Sequence, residues 1–214
     1  MNAQKKSLEK KNILTGITKN VLVLSLVSFL TDVSTEIVYP LLPIFLTSVL
    51  GASIAFVGLV EGIAETTSSF WKLFSGWLSD RLNKRKSIVV IGYTLSGITR
   101  PLIAMATVAW QILVVRFVDR VGKGVRTSPR DALIADCTEP DCQGKAFGFN
   151  RSMDHLGAVV GPLLAFLLLL LFKNNYRAVF WVATIPAALC VLILSVFVSE
   201  KKRETEGVAA PPSP

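Results

Sequence analysis

Long apolar runs alternate with short charged ones from about residue 20 to residue 200. The runs predict spans near 21–49, 54–78, 87–108, 110–134, 147–172 and 177–198, each long enough to cross a bilayer as a helix, which takes ~20 residues. Polar residues within these spans are not scattered. At ~100° per residue, Ser25, Ser28, Asp32, Glu36 and Tyr39 fall on one narrow stripe of the first span. Glu61, Glu65, Ser68 and Lys72 do the same on the second. On the fourth, the charged residues Arg116, Asp119, Arg120, Lys123, Arg126, Arg130 and Asp131 share an arc of roughly 140°. The fifth span carries Arg151, Asp154 and His155, the third carries Arg100 alone, and the sixth is uncharged from Ala178 to Ser199.

Ionisable groups at membrane depth are expensive, by ~2.5–3.5 kcal/mol each on insertion scales, and they face a bundle interior or a wet cavity. The first, second, fourth and fifth spans are therefore expected to enclose something polar, while the third and sixth face lipid. In each triplet the third helix is then peripheral, a pattern of two inverted repeats. The fold class expected is an all-α membrane protein with six transmembrane helices, arranged as two inverted three-helix repeats over residues 21–198.

Composition agrees. A chain of 214 residues that is 51% hydrophobic, with a mean hydropathy of +0.53, is not composed like a soluble domain. A formal charge of +8 would suggest nucleic acid in a soluble protein. Here the basic residues fall in alternate loops, as positive-inside topology requires, so no nucleic-acid partner is expected. Lys5, Lys6, Lys10, Lys11 and Lys19 share a side with the loop around Arg81 and Lys86, with the Asp136–Lys145 loop and with the Lys201–Arg203 tail. Residues 1–20 and 199–214 are thus both expected in the cytoplasm, the latter as a tail or a linker cut short. No cleavable signal peptide is expected, because the first apolar run is too long and contains Asp32 and Glu36. Cys137, Cys142 and Cys190 make no paired framework, and the spacing of the first two fits neither a zinc knuckle nor a redox motif. Reduced thiols are expected, with no metal and no cofactor. Gly122-Lys123-Gly124 lacks the Walker pattern of a phosphate loop.

Three motifs narrow the reading. Gly76-Trp77-Leu78-Ser79-Asp80-Arg81-Leu82-Asn83-Lys84-Arg85-Lys86 sets charges abruptly between two apolar runs. It resembles the loop between the second and third helices of the major facilitator superfamily, roughly G-x-L-[AS]-D-[RK]-x-G-[RK]-[RK]. Asn83 replaces the family's glycine, a mild exchange because Asn tolerates a left-handed backbone. Arg116-Phe117-Val118-Asp119-Arg120-Val121-Gly122-Lys123-Gly124 resembles the family's fourth-helix motif. Gly157-Ala158-Val159-Val160-Gly161-Pro162 resembles the fifth-helix motif of its antiporters, although Ala165 stands where the family often continues with glycine.

The resemblance covers residues 20 to 200 and matches the first six helices of a family that usually has twelve. It implies the N-terminal half of a secondary transporter, similar to uncharacterised prokaryotic permeases, in the cytoplasmic (inner) membrane. The partners implied are the lipid bilayer, a small-molecule substrate, a proton or other coupling ion, and a C-terminal six-helix half or a second copy. The family places Arg116 in the polar centre, in proton coupling; the residues alone equally allow it to pair with Asp32 or Glu36. Asp80 and Arg81 are expected to form a gate with an acid at the end of the fourth span, Asp131 or Asp136. Gly157 and Gly161 permit close helix contact, and Pro162 lets the helix bend.

Asp32, Glu36, Glu61 and Glu65 are candidates to bind and release a proton near neutral pH, with Arg116 and Arg120 as modulators. Asp119, Lys123, Arg151, Asp154 and His155 complete the expected solute and proton pathway, His155 beside Asp154 inviting a relay. An enzyme is not expected, since no nucleophile–base spacing or metal cluster recommends one. The function expected is proton-coupled transport of a small solute, with export weakly favoured. The alternatives are uptake of an organic anion and a non-transporting membrane assembly protein.

Overall fold

The computed structural model describes residues 17–82 and 85–198. Among these the chain forms six long helices and no strand. They are α1 (Lys19–Val49), α2 (Ile54–Leu82), α3 (Arg85–Met105), α4 (Ala109–Asp136), α5 (Gln143–Leu171) and α6 (Tyr176–Phe197). Thr18 caps α1 by accepting from the Val21 amide at 3.4 Å, and Asn175 caps α6 by accepting from Ala178 at 3.2 Å. Such caps satisfy amides that have no intrahelical partner. α1 is α-helical only to Val38 and continues through a 3-10 turn, one α turn and a π turn. Pro40 and Pro43 lie in this stretch, and each removes an amide donor and crowds the preceding turn, so the regular ladder cannot hold. Gly51, at φ +67°, turns the chain into α2.

The helices differ from the predicted spans most at the α2–α3 junction and at the start of α5, which begins at Gln143, four residues early. α2 runs four residues past the expected end and α3 begins two residues early. The basic motif is therefore largely helical, and the junction narrows to residues 83–84; Lys84 lies outside the described residues.

α1 packs on α5 and α6, α4 packs on α2 and α3, and α3 packs on α6. Exchanging α1 with α4, α2 with α5 and α3 with α6 maps this pattern onto itself. Because successive helices run antiparallel, the second triplet is an inverted copy of the first. Glycines set the closest approaches. A Cβ on Gly92 would sit 2.8 Å from the Gly122 carbonyl oxygen, and one on Gly122 would sit 2.8 Å from that of Gly92. A Cβ on Gly124 would meet the Ser68 carbonyl oxygen of α2 at 2.8 Å. Small residues of this kind let helix backbones approach within membranes.

Two apolar clusters lie at opposite ends of the bundle. One contains Ile37, Phe45, Ile112 and Phe180, with the Phe45 and Phe180 rings edge-on at 5.2 Å. The other contains Val21, Leu24, Val89, Leu133 and Leu194. Along α1, α3 and α4 the polar residues fall between them. Val159, Leu163 and Phe166 of α5, Trp181, Ile185 and Val196 of α6, and Ile91, Ile98 and Met105 of α3 point outward. Among the described residues four helical stretches are long and apolar enough to cross a membrane: Lys19–Val49, Arg85–Met105, Pro140–Leu171 and Tyr176–Phe197. The expectation of a lipid-facing third span needs correction on one point. α3 turns Ile91 and Ile98 outward, but Arg100 is 2% exposed and reaches the interior, because the Gly92–Gly122 contact draws α3 close to α4.

Candidate functional site

Between α1, α2 and α4 lies a cavity of about 210 Å³. α1 contributes Asp32, Thr35, Glu36 and Tyr39; α2 contributes Glu65; α4 contributes Asp119, Arg120, Lys123 and Arg126. Asp32 is thirteen residues into α1, some 20 Å from its start at 1.5 Å per residue, well inside a ~30 Å hydrocarbon core. Six of the residues expected in a solute pathway thus share one space: Asp32, Glu36, Glu65, Asp119, Arg120 and Lys123.

The walls differ in how their charges are satisfied. Asp119 is neutralised by its neighbours: Arg100 Nη2 lies 3.3 Å from Oδ1 and Arg116 Nη1 lies 3.6 Å from Oδ2. Arg100 Nη2 also donates to Thr35 Oγ1 at 2.9 Å, tying α3 to α1. Arg116, 1% exposed, donates from Nη2 to both carboxylate oxygens of Glu61 at 2.8 Å. The partner expected for Arg116, Asp32 or Glu36, is therefore replaced by Glu61, because α2 packs directly on α4 whereas α1 and α4 stand apart across the cavity. Tyr39 fills part of that gap, with its ring 4.0 Å from the Arg116 guanidinium carbon and 4.7 Å from that of Arg120. Arg126 donates to Ser96 Oγ at 2.7 Å and stacks over Tyr93 at 4.5 Å. Asp32, Glu36, Glu65, Arg120, Lys123 and Arg126 make no ion pair among the described residues. Asp32 lies within electrostatic reach of Lys123 and Arg126, and Glu36 within reach of Arg120 and Lys123.

The two carboxylates on α1 are braced from behind by α5. A Cβ on Gly157 would meet the Asp32 Cβ at 2.9 Å and the Phe29 carbonyl oxygen at 2.8 Å; one on Gly161 would collide with the Glu36 Cβ. Gly157 and Gly161 so hold α1 at the rotation that turns Asp32 and Glu36 into the cavity, and Pro162 follows inside the same helix.

At the end of the bundle where α2 meets α3, Arg85 rather than Arg81 is the bridging cation. Its Nη2 pairs with Asp80 at 3.1 Å and its Nη1 pairs with Asp136, while also donating to the Ala132 carbonyl oxygen at 3.2 Å. Arg81 instead stacks over Trp77 at 5.5 Å. With Arg81 near the end of α2, its side chain follows the helix surface back to Trp77, one turn earlier, while Arg85 opens α3 facing α4. Gly76 faces Ser128 of α4, where a Cβ would make ordinary van der Waals contact at 3.4 Å.

Asp131, the other acid expected to face the hairpin, belongs to a second network. Arg130 pairs with Asp131 at 3.0 Å and with Asp154 at 3.7 Å; Arg151 pairs with the same two acids at 3.4 and 3.3 Å. Arg130 also donates to Ser28 Oγ at 2.9 Å, so the ring of alternating charges ties α1, α4 and α5 together. Arg151 and Asp154 therefore lie outside the cavity. His155 is exposed and makes no hydrogen bond or ion pair among the described residues, so it does not reach its sequence neighbour Asp154. Neighbouring positions on a helix point about 100° apart, which is why adjacency in sequence did not become contact. The thiols are also apart from it: Cys137 accepts from Asn20 at 3.3 Å, and Cys190 sits 3.0 Å from Thr31 Oγ1.

The Major Facilitator Superfamily sequence profile matches residues 24–213. The chain belongs to the major facilitator superfamily. It is 36% identical over 185 residues to an uncharacterized MFS-type transporter of Methanocaldococcus jannaschii, covering 86% of this chain and 46% of the relative. It is 28% identical over 145 residues to the multidrug resistance protein MdtH of Photorhabdus laumondii, covering 68% of this chain and 35% of that protein. The fold is similar to that of a peptide transporter crystallised with sulfate, with a TM-score of 0.75 and 18% identity over 83% of this chain and 37% of that one. A human organic anion transporter gives a TM-score of 0.69 at 21% identity, over 85% and 47% of the two chains. The chain thus spans less than half the length of these relatives, and the superfamily is one of membrane transporters rather than enzymes.

Seen as a half of that fold, the site holds residues that the sequence did not single out. Thr35 and Ser96 anchor the buried arginines, Tyr93 carries Arg126, and Asn150 links Ser28 to Asp154. Arg126 and Arg130, by contrast, were already on the charged arc of the fourth span, continuing the spacing of Arg116, Arg120 and Lys123 along one helix face.

Proposed function

We propose that this chain forms half of the solute path of a secondary active transporter that moves a small solute by alternating access with a proton as coupling ion. The observation that carries the reading is the cavity, whose walls bear opposite charges that do not neutralise one another in ion pairs. Unpaired ionisable groups at membrane depth mark substrate and ion pathways. Asp32, Glu36 and Glu65 would load and release the proton. Glu61, held by Arg116, is its counter-ion, and Arg120 and Lys123 tune the carboxylates across the cavity. Opening toward the α2–α3 end would separate the Asp80–Arg85–Asp136 contact. We place that end and both termini in the cytoplasm of a prokaryotic inner membrane, following the basic loops. Export is favoured by the Gly157–Pro162 motif and by the relatives named for multidrug resistance.

A C-terminal six-helix half or a second copy would complete the path. Glu65, Lys72 and Lys123 are exposed along one flank of the described residues, and charged groups at that depth need cover from protein or water. The test is flux in proteoliposomes under an imposed pH gradient, with Asp32→Asn plus Glu36→Gln as the diagnostic variant. Gradient-driven flux should vanish in the variant. Flux that collapses with the gradient in the wild type yet survives in the variant rules out this pair as coupling groups. Uptake of an organic anion is the second reading, favoured by Arg120, Lys123 and Arg126 on one wall; inward flux of a dicarboxylate without a pH gradient would decide for it. A chain that moves no solute and joins no partner would be the assembly protein of the third reading.

A further inference from the structure

Three cations of α4 (Arg120, Lys123, Arg126) face three carboxylates of α1 and α2 (Asp32, Glu36, Glu65) across the same cavity, and none of the six is ion-paired among the described residues. The adjoining group adds no net charge, because Asp119 and Glu61 together balance Arg100 and Arg116. The walls are therefore balanced, and that balance restricts what can enter. A monoanion would leave the cavity with a net negative charge and a monocation with a net positive one. Uncompensated charge is disfavoured beside buried walls such as those holding Asp119, Arg120 and Arg126. A solute bearing both signs satisfies each wall and leaves the balance unchanged.

Two buried polar atoms give the cavity a direction. Tyr39 Oη and Arg120 Nε have no hydrogen-bond partner among the described residues, and both can donate. Buried donors in native proteins are normally satisfied; Tyr39 comes from α1 and Arg120 from α4, and with the Arg120 guanidinium 4.7 Å from the Tyr39 ring an acceptor at this end of the cavity, most strongly an anionic one, would suit both. The volume sets the scale: about 210 Å³ is below the ~300–1,000 Å³ of drug-sized pockets.

We propose that the cavity binds a small zwitterion, its anionic group on Arg120, Lys123 and the Tyr39 hydroxyl and its ammonium on Asp32, Glu36 and Glu65. The proposal rests on the transport reading and names the substrate class of the same site. The same chemistry is carried by a free amino-carboxylate and by a zwitterionic lipid headgroup.

The experiment is calorimetric titration of the whole chain in phosphatidylglycerol nanodiscs. The probes are ω-amino carboxylates from glycine to 6-aminohexanoate, each set against the monocarboxylate and the alkylamine of matching length. One chain length should bind roughly 10- to 100-fold tighter than both of its monoions, the worth of a charge-assisted contact. Glu65→Gln and Lys123→Gln, both at exposed positions where folding should tolerate them, should each weaken the zwitterion ~10-fold. Glu65→Gln leaves one positive charge in excess and should bind the monocarboxylate more tightly than the wild type does, and Lys123→Gln should do the same for the alkylamine; unchanged monoion binding in both variants overturns the balance argument. A monoion that binds as tightly as its zwitterion overturns the proposal, as does the absence of binding by every probe. In nanodiscs containing phosphatidylethanolamine, loss of amino-carboxylate binding would identify a headgroup as the competing zwitterion, and retention would identify the free solute. Flux separates the two levels: a zwitterion that binds but never crosses overturns the transport reading alone, whereas monoions that bind equally and cross overturn this proposal alone.

Discussion

Gly161 of α5 abuts Glu36 of α1 so closely that no side chain fits between them. The residue that aims a cavity carboxylate is thus a glycine on a different helix, 125 positions along the chain. Gly161→Ala should force α1 and α5 apart and rotate Glu36 from the cavity. Overpacking of this kind costs ~1–3 kcal/mol, so the thermal transition of the detergent-solubilised protein should fall, and flux should fall with it. An unchanged transition would mean that the contact is soft.

Arg116 and Glu61 differ in exposure, and the difference predicts an asymmetry. Arg116 is fully buried, while the Glu61 side chain is 41% exposed. Glu61→Gln leaves a buried guanidinium whose one remaining ion pair among the described residues is the longer 3.6 Å contact to Asp119, whereas Arg116→Gln leaves a carboxylate that water can reach. Glu61→Gln should be the more destabilising of the two, and the double substitution should recover part of the loss. A double-mutant cycle on thermal stability should return a coupling of ~0.5–3 kcal/mol; strict additivity would dissolve the pair.

Arg85 bridges Asp80 and Asp136, and Arg81 does not. Arg85→Gln should therefore raise amide hydrogen exchange at the facing ends of α2 and α4, while Arg81→Gln should leave exchange there nearly unchanged. The Asp80 carboxylate is 71% exposed, so its share is at most ~1 kcal/mol, and most of the effect should come from the Asp136 side. Equal responses to the two substitutions would return the gate to Arg81.

Gly92 and Gly122 present their carbonyl oxygens to each other's missing Cβ at 2.8 Å. Alanine at either position should push α3 from α4 and lengthen the Arg100–Asp119 contact. Both single variants should lose stability in the same direction, and their combination should cost less than the sum, because one displacement relieves both clashes. Differential scanning of the purified variants checks this, and full additivity would count against a shared contact.

Part of the site was legible from spacing alone. The stripe holding Asp32, Glu36 and Tyr39 and the arc holding Arg116, Asp119, Arg120 and Lys123 are periodic features of single helices, and the cavity gathers residues from both. Arg100 showed the limit of that reasoning. A lone charge in an apolar span carries no phase to interpret, and its inward reach depends on how closely two glycines allow α3 to approach α4. His155 failed in the opposite sense, since its closeness to Asp154 in sequence means divergence on a helix.

Six helices, their polar faces and the superfamily could be read from the order of residues, because a period of 3.6 residues and the cost of charge in lipid act within one segment at a time. The partners came only from helix packing: Glu61 rather than Asp32 or Glu36 for Arg116, Arg85 rather than Arg81 for Asp136, and Arg130 with Arg151 for Asp131 and Asp154. Ion pairs form over about 3–4 Å, and helix rotation and approach at that scale are set by contacts between segments far apart along the chain.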